Sequence, residues 1–345
     1  MTHPQPRENP ALTGHEAAEA VFLSAWRGGR MPHAWLIAGP QGIGKATLAY
    51  RIARFVLSGG AGETLSVAAD HPVFRRVASG GHADLLTLAR DLQGEGPSTV
   101  IGVDAVRAAG AFVHLTAGEG GWRVLVVDTA DDLNSNAANA LLKILEEPSD
   151  RTLILLVSHS ASRLLPTIRS RCCRLPLHRL PECAMEDVLR RAGVDSGELG
   201  TLLAIAEGSP GRALALLEAD GVALLETVIG FAAALPDIDL PALHEFADRL
   251  ARRDAEPAYR TAMRIFLWWI ARVARAAAGG GLPGSEVVGG EGEAAARLAS
   301  RAGLDRLAEL WEKCARLIDQ ADSVNLDRKQ VVLGAFRQLQ SAMRV

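Results

Sequence analysis

Two short apolar runs set the pattern of the first half of the chain. Arg123 to Val127, ending in Asp128, and Leu153 to Val157 show no polar alternation, as expected of strands covered on both faces of a parallel sheet. Between them Asn134 or Ser135 can cap a helix whose Ala138, Leu141, Leu142 and Leu145 recur at three and four, and Pro148 ends it. A third run, Ala34 to Ala38, precedes a glycine-rich turn and a helix reaching Leu57. The spacing predicts amphipathic helices over Glu16 to Trp26, with Ala17, Ala20, Val21 and Phe22 buried, and over Val103 to Leu115, with Val106, Ala109 and Val113 inward. The polar leader to about Asn9 is expected to be mobile, and Gly94 to Pro97 to be loop.

Beyond His178 the β-branched runs stop. Glu186 to Ala192, Glu198 to Ala206 and Arg212 to Ala219 read as short helices separated by Gly193 and by Gly208-Ser209-Pro210-Gly211. From about Val222 only helical patterns remain. Pro257 to Ala278 carries Ile265, Phe266, Trp268, Trp269 and Ile270, an apolar cluster suited to a core or to a subunit interface. Gly279 to Gly292 reads as a flexible connector before helices over Leu304 to Ala321 and Asp327 to Met343.

Composition narrows the class without naming a function. The 345 residues suggest two or three domains, and 48% hydrophobic with 22% charged residues is ordinary for a globular chain. A formal charge of -3 gives no global attraction to nucleic acid, so any DNA contact has to be local. The four cysteines form no CxxC pair, and His71 and His82 alone cannot hold zinc, so a zinc site and a disulfide framework are not expected. No export signal or membrane span is apparent, which suggests a cytoplasmic protein with reduced thiols.

The chemistry sits in GPQGIGKAT. Gly39, Gly44 and Lys45 satisfy GxxxxGK between a strand and a helix, and Gly42 adds a further tight turn. Backbone N–H groups of such a loop converge on phosphate oxygens while Lys45 reaches the terminal phosphates. The motif then wants a hydroxyl for Mg²⁺, and the chain supplies Ala46; Thr47 lies about 100° further round the helix. At the second strand, Asp128 is followed by Thr129, which cannot take a proton from water at neutral pH as a glutamate would. Asp131 and Asp132 are read as capping or solvating the next turn. The segment Arg163 to Arg174 holds four arginines beside an expected strand over Leu175 to Leu177; Arg163 and Arg174 are read as solvated charges.

GPQGIGKAT together with NAANALLKILEEPSDRTLILLVSHSASRLLPTIRSRC resembles the clamp-loader branch of the AAA+ ATPases, in its members with degenerate Walker motifs. The resemblance covers about the first half of the chain, and LLKILEEP followed by Ser170-Arg171-Cys172 is its most specific part. It implies an α/β AAA+ P-loop domain with a parallel sheet (1–178), a small helical lid (179–221) and an all-α C-terminal collar (222–345). It implies that Arg171 acts as an arginine finger on ATP held by a neighbouring subunit. It also implies that Ser158 stands at the sensor 1 position and Arg212 at sensor 2. Gly39, Gly42, Gly44, Lys45, Ala46, Thr47 and Asp128 would then line a nucleotide pocket for ATP or ADP, with Mg²⁺ binding in doubt and no zinc. The implied partners are other clamp-loader subunits in a ring, the sliding clamp and, through the assembly, primed DNA, with no membrane. The cysteine-rich zinc module that many relatives insert after the P-loop helix is missing from Leu57 to Leu86. An active motor of the same branch and a stand-alone P-loop phosphotransferase remain the alternatives at this point.

Overall fold

The computed structural model describes residues 4–90, 100–119, 121–279, 281, 282, 284, 286–324 and 326–343. The described chain divides into two compact units, residues 2–188 with 208–211, and residues 189–207 with 212–345.

The first unit runs α1 (Glu16–Arg27), β1 (Ala34–Ala38), α2 (Lys45–Leu57), α3 (Pro72–Ala78), β2 (Leu85–Ala89), α4 (Val103–His114), β3 (Arg123–Asp128), α5 (Ser135–Glu146), β4 (Thr152–Ser158), α6 (Pro166–Arg171) and β5 (Cys173–Pro176). The strands form one sheet in the order β2-β3-β4-β1-β5 with every pairing parallel. Strands β1, β3 and β4 are unbroken apolar runs because helices cover both faces. Trp35, Ile37, Val124, Val126, Leu153 and Leu155 pack against Phe22 of α1 and Leu48, Ile52 and Phe55 of α2. The alternate positions Leu36, Leu125, Val127, Ile154 and Leu156 pack against Val106 and Ala109 of α4, Leu141 and Ile144 of α5 and Ile168 of α6.

The chain leaves β1 for the far edge, returns through β3 and β4, then crosses β1 to reach β5. The crevice between the carboxyl ends of β1 and β4 is therefore the topological switch point, where open α/β sheets bind ligands. Register places Ala38 beside Ser158, and Asp128 beside Val157, so the P-loop, the acidic strand end and Ser158 share that edge.

The second unit contains only helices among its described residues. Its elements are the last turn of α7 (Glu182–Arg191), whose first seven residues belong to the α/β unit, α8 (Ser196–Ala206), the body of α9 (Pro210–Glu218), α10 (Gly221–Ala233), α11 (Leu240–Ala251), α12 (Glu256–Gly279), α13 (Glu291–Val324) and α14 (Arg328–Met343). Phe231, Phe246, Phe266 and Phe336 stack at centroid distances of 5.0 to 5.7 Å across α10, α11, α12 and α14.

Several expectations need correction. The buried face of α1 is Ala18, Phe22 and Leu23, while Val21 is exposed, because the stripe follows i−4 from Phe22. From Arg7 to Pro10 the chain is tied down: Arg54, a buried residue of α2, donates to the carbonyls of Arg7 and Asn9, and Arg51 donates to that of Pro10. A buried guanidinium needs acceptors, and this stretch of backbone provides them. The apolar cluster of α12 takes the first of its two expected roles, with Trp268 and Trp269 buried in the core of the helical unit, while Trp311 of α13 is exposed. The glycine-rich connector ends early, because Glu291 opens α13 by pairing with buried Arg272 at 2.7 Å and accepting from the Val287 amide. Strand β2 and helix α3 were not expected from the pattern, and Gly94 to Pro97 lie outside the described residues.

Candidate functional site

The loop from Gly39 to Gly44 leaves β1 and opens α2. Glycine is required by space at its first position: a Cβ on Gly39 would stand 2.3 Å from the Leu177 carbonyl. Gly42 and Gly44 have φ of 78° and 99°, left-handed conformations that favour glycine. With Gly44 as N-cap, the first N–H groups of α2 open into the switch-point crevice, a cradle suited to phosphate oxygens.

Long-range contacts brace this cradle. His15 Nε2 donates to the Ile43 carbonyl at 2.6 Å, and Gly39 N–H donates to the Ser158 carbonyl. The Gly208-Ser209-Pro210-Gly211 turn docks on the same loop: Ser209 Oγ donates to the Gln41 carbonyl at 2.9 Å and Gly211 N–H to the Gly42 carbonyl at 2.7 Å. A Cβ at Gly211 would lie 3.0 Å from the Gly42 backbone, so glycine permits this close approach.

Lys45 is buried and donates from Nζ to the Pro40 carbonyl at 2.5 Å. Burial lowers its pKa to about 8, against the opposing pull of Asp131 and Asp128. Asp128 is shifted upward, chiefly by burial and against the attraction of Lys45. Thr47 is buried on α2, and Ala46 offers only a methyl at the position after the lysine. The glycine backbone is of the kind that offers N–H donors to a phosphate, whereas the side chains supply no hydroxyl where the motif places a Mg²⁺ ligand.

Asp131 does not solvate a turn. Its carboxylate accepts from Ser158 Oγ at 3.2 Å, His159 N–H at 2.7 Å and Ser160 N–H at 3.2 Å. Ser158 is fully buried at the end of β4, so the hydroxyl facing the crevice is already engaged. Asp132 pairs with Arg90 at 2.8 Å and accepts from Thr129 Oγ1. Asp131 and His15 were missed by sequence reasoning, because their partners lie 27 and 28 residues away.

Arg171 ends α6 outside this crevice. Its Nη2 pairs with Glu146 at 2.6 Å and Nη1 donates to the Thr167 carbonyl at 3.0 Å, with about a third of the side chain accessible. Ser170 is exposed and Cys172 is buried, its thiol pushed up to about 12 by burial. In the helical unit Arg212 pairs with Glu207 at 3.2 Å.

Sheet order, a glycine loop after β1 and an acidic end on β3 define a P-loop domain of the AAA+ type. Residues 14–181 match the family model described as "DNA polymerase III, delta subunit". The chain is 42% identical over 193 residues to the DNA polymerase III subunit delta' of Pseudomonas aeruginosa, covering 53% of this chain and 56% of that protein. It is 35% identical over 208 residues to the subunit delta' of Escherichia coli, covering 60% and 61%. It is 27% identical over 260 residues to a gamma/tau subunit of Mycobacterium bovis, covering 73% and 44%. The matched stretch is thus delta-prime-like, of the clamp-loader kind, and the chain spans about half to three fifths of the length of the delta' relatives.

Proposed function

We propose that the chain is a delta-prime-type subunit of the DNA polymerase III clamp loader. It serves as a stator that supplies Arg171 in trans to ATP bound by a neighbouring subunit. The observation that carries this reading is a contrast within one domain. The pocket side lacks the metal hydroxyl at Ala46 and the base at Thr129, while Arg171 stands on the surface, restrained by a half-exposed carboxylate.

In this reading the chain's own residues bind and orient more than they react. Gly39 to Lys45 hold a nucleotide's phosphates, His15 and the Gly208–Gly211 turn fix the loop, and Ser158 and Arg212 stand at the two sensor positions. Residues 179–221 act as the lid and 222–345 as the collar that joins a hetero-oligomeric ring. The ring engages the sliding clamp and primed DNA in the cytoplasm, with the assembly supplying the charge that this chain lacks. Arg171 leaves Glu146 and places its guanidinium on the partner's triphosphate, where it stabilises the charge of the transferring phosphoryl group.

The test mixes the full chain with its motor subunits and measures steady-state ATP hydrolysis. Expected are negligible turnover by the chain alone and a complex that still assembles with Arg171→Ala but hydrolyses slowly. Unchanged hydrolysis in an intact variant complex would refute the trans role. A second reading, an active motor, draws on the 260-residue similarity to gamma/tau chains. Metal-dependent turnover by the lone chain, abolished by Lys45→Ala, would favour it.

A further inference from the structure

Helix α13 is kinked at Gly303, and the segment that follows carries two apolar stripes. Leu307, Leu310, Cys314 and Ala321 form the first and are buried in the helical unit. The second lies about 100° further round the helix and consists of Leu304, Ala308, Trp311, Ala315 and Ile318. These positions alternate at four and three residues, the spacing of a seam between paired helices. Leu304 is 47% and Trp311 40% accessible, Ala308 is exposed, and Ala315 and Ile318 are half-buried. Single exposed apolar side chains are ordinary on a protein surface, whereas a row of them over about four turns marks a contact.

The seam has two unlike borders. On one side is the unit's own core. On the other stand Asp305, Glu312 and Asp319, spaced by seven and all exposed. Among the described residues none of the three closes an ion pair, although Arg301 and Arg316 lie one turn from Asp305 and Glu312; Glu309, by contrast, pairs with Lys313 at 3.4 Å. A row of carboxylates along an apolar seam favours a row of cations on whatever covers it. At its kinked end the seam runs into a cavity of about 610 Å³, lined by Ala276 and Ala277 of α12 and by Ala296, Ala299 and Leu304 of α13. The small side chains leave room there for a bulky apolar one.

We propose that this seam docks an amphipathic helix of another polypeptide. That helix lays its apolar stripe on Leu304, Trp311 and Ile318, seats a large apolar side chain in the cavity, and lines Lys or Arg along Asp305, Glu312 and Asp319. A second copy of the chain is the wrong occupant, because an antiparallel pair of these seams brings the two acidic rows together. The surface lies beyond residues 14–181, which carry the family match, and depends on neither Arg171 nor the phosphate loop.

The experiment titrates the full chain against two fluorescently labelled synthetic helices of about four heptads, identical in their leucine stripe and flanked by Lys in one and by Glu in the other. Anisotropy should show the Lys peptide binding in the micromolar range and about tenfold more tightly than the Glu peptide, the scale of three exposed ion pairs. Salt should narrow that gap. Trp311→Ser, at an exposed position where folding is not at risk, is expected to weaken the Lys peptide on the order of tenfold with circular dichroism unchanged. Asp305→Lys, Glu312→Lys and Asp319→Lys together should turn the preference toward the Glu peptide. Equal binding of the two peptides, no binding of the Lys peptide at about millimolar concentration, or unchanged affinity in folded Trp311→Ser overturns the proposal. So does a preference that survives the triple reversal, or a dimer of the full chain that Trp311→Ser dissolves, since the seam then belongs to a second copy. None of these outcomes touches the stator reading, which is judged by the partner's hydrolysis rate.

Discussion

The phosphate loop and the Arg171 corner belong to the same α/β unit, yet they are held in opposite ways. The loop is fastened by bonds from His15, Ser209 and Gly211, the first of them buried, and the crevice beside it by the three bonds to Asp131. Arg171 is fastened by one ion pair with a half-exposed glutamate and by a bond to a carbonyl of its own helix. Moving the loop and its crevice breaks several long-range bonds together, three of them to a carboxylate, whereas releasing the arginine breaks one partly exposed ion pair and one bond within its own helix. The pocket is therefore a fixed object and the arginine an available one, as a subunit that lends a side chain and keeps its own site still requires.

The largest expected effect strikes the available side. Arg171→Lys keeps the charge and loses the planar fork, so the partner's hydrolysis rate should fall nearly as far as with alanine, on the order of 10³-fold or more. A lysine variant at full rate would reduce the corner to a simple positive patch.

Next comes the fixed side. Asp131→Ala should cost about 2–3 kcal/mol in urea unfolding, because it leaves the Ser158 hydroxyl and the two amides without their acceptor. A loss no greater than that of an average surface substitution would mean the clasp carries no weight.

Smaller is a pH effect on phosphate binding. The Lys45 pKa of about 8 lies below its ordinary value of 10.5, so the ammonium charge is present below pH 8 and lost above it. Pyrophosphate affinity, followed by calorimetry, should weaken by up to about tenfold per unit as pH rises past 8. Folding stability should move the other way between about pH 8 and 10.5, where the unfolded chain binds more protons. Affinity that stays flat to pH 10 would remove Lys45 from the site.

The smallest effect is Glu146→Gln. It should change stability by less than about 1 kcal/mol and raise the partner's hydrolysis about twofold, since Arg171 no longer has to leave a carboxylate. A large loss of stability would show the corner to be as rigid as the pocket.

Much of the α/β unit was legible because its signals are local. Unbroken apolar runs gave the strands, Asn134 caps α5 by accepting from the Ala137 amide, and GxxxxGK lies where a strand meets a helix. Strand β2 was missed because it is an edge strand with Thr87 and Ala89 exposed, so its pattern is neither continuous nor alternating. Helix α13 is kinked at Gly303, with φ 69° and ψ 168°, so the expected start at Leu304 marks its second segment; the segment from Glu291 was missed because its opening residue depends on Arg272 in another helix.

By itself the sequence determined which side chains the proposed nucleotide chemistry can draw on: the glycines, Lys45 and Arg171 are there, and Ala46 and Thr129 stand where the P-loop pattern has a hydroxyl and a base. Residue identity settles such questions, since no fold can put oxygen on an alanine. Only the tertiary structure decided which of those parts are free. It brought Asp131 to Ser158, His15 to the loop and Glu146 to Arg171, pairings set by strand order and helix packing that no local window of sequence contains.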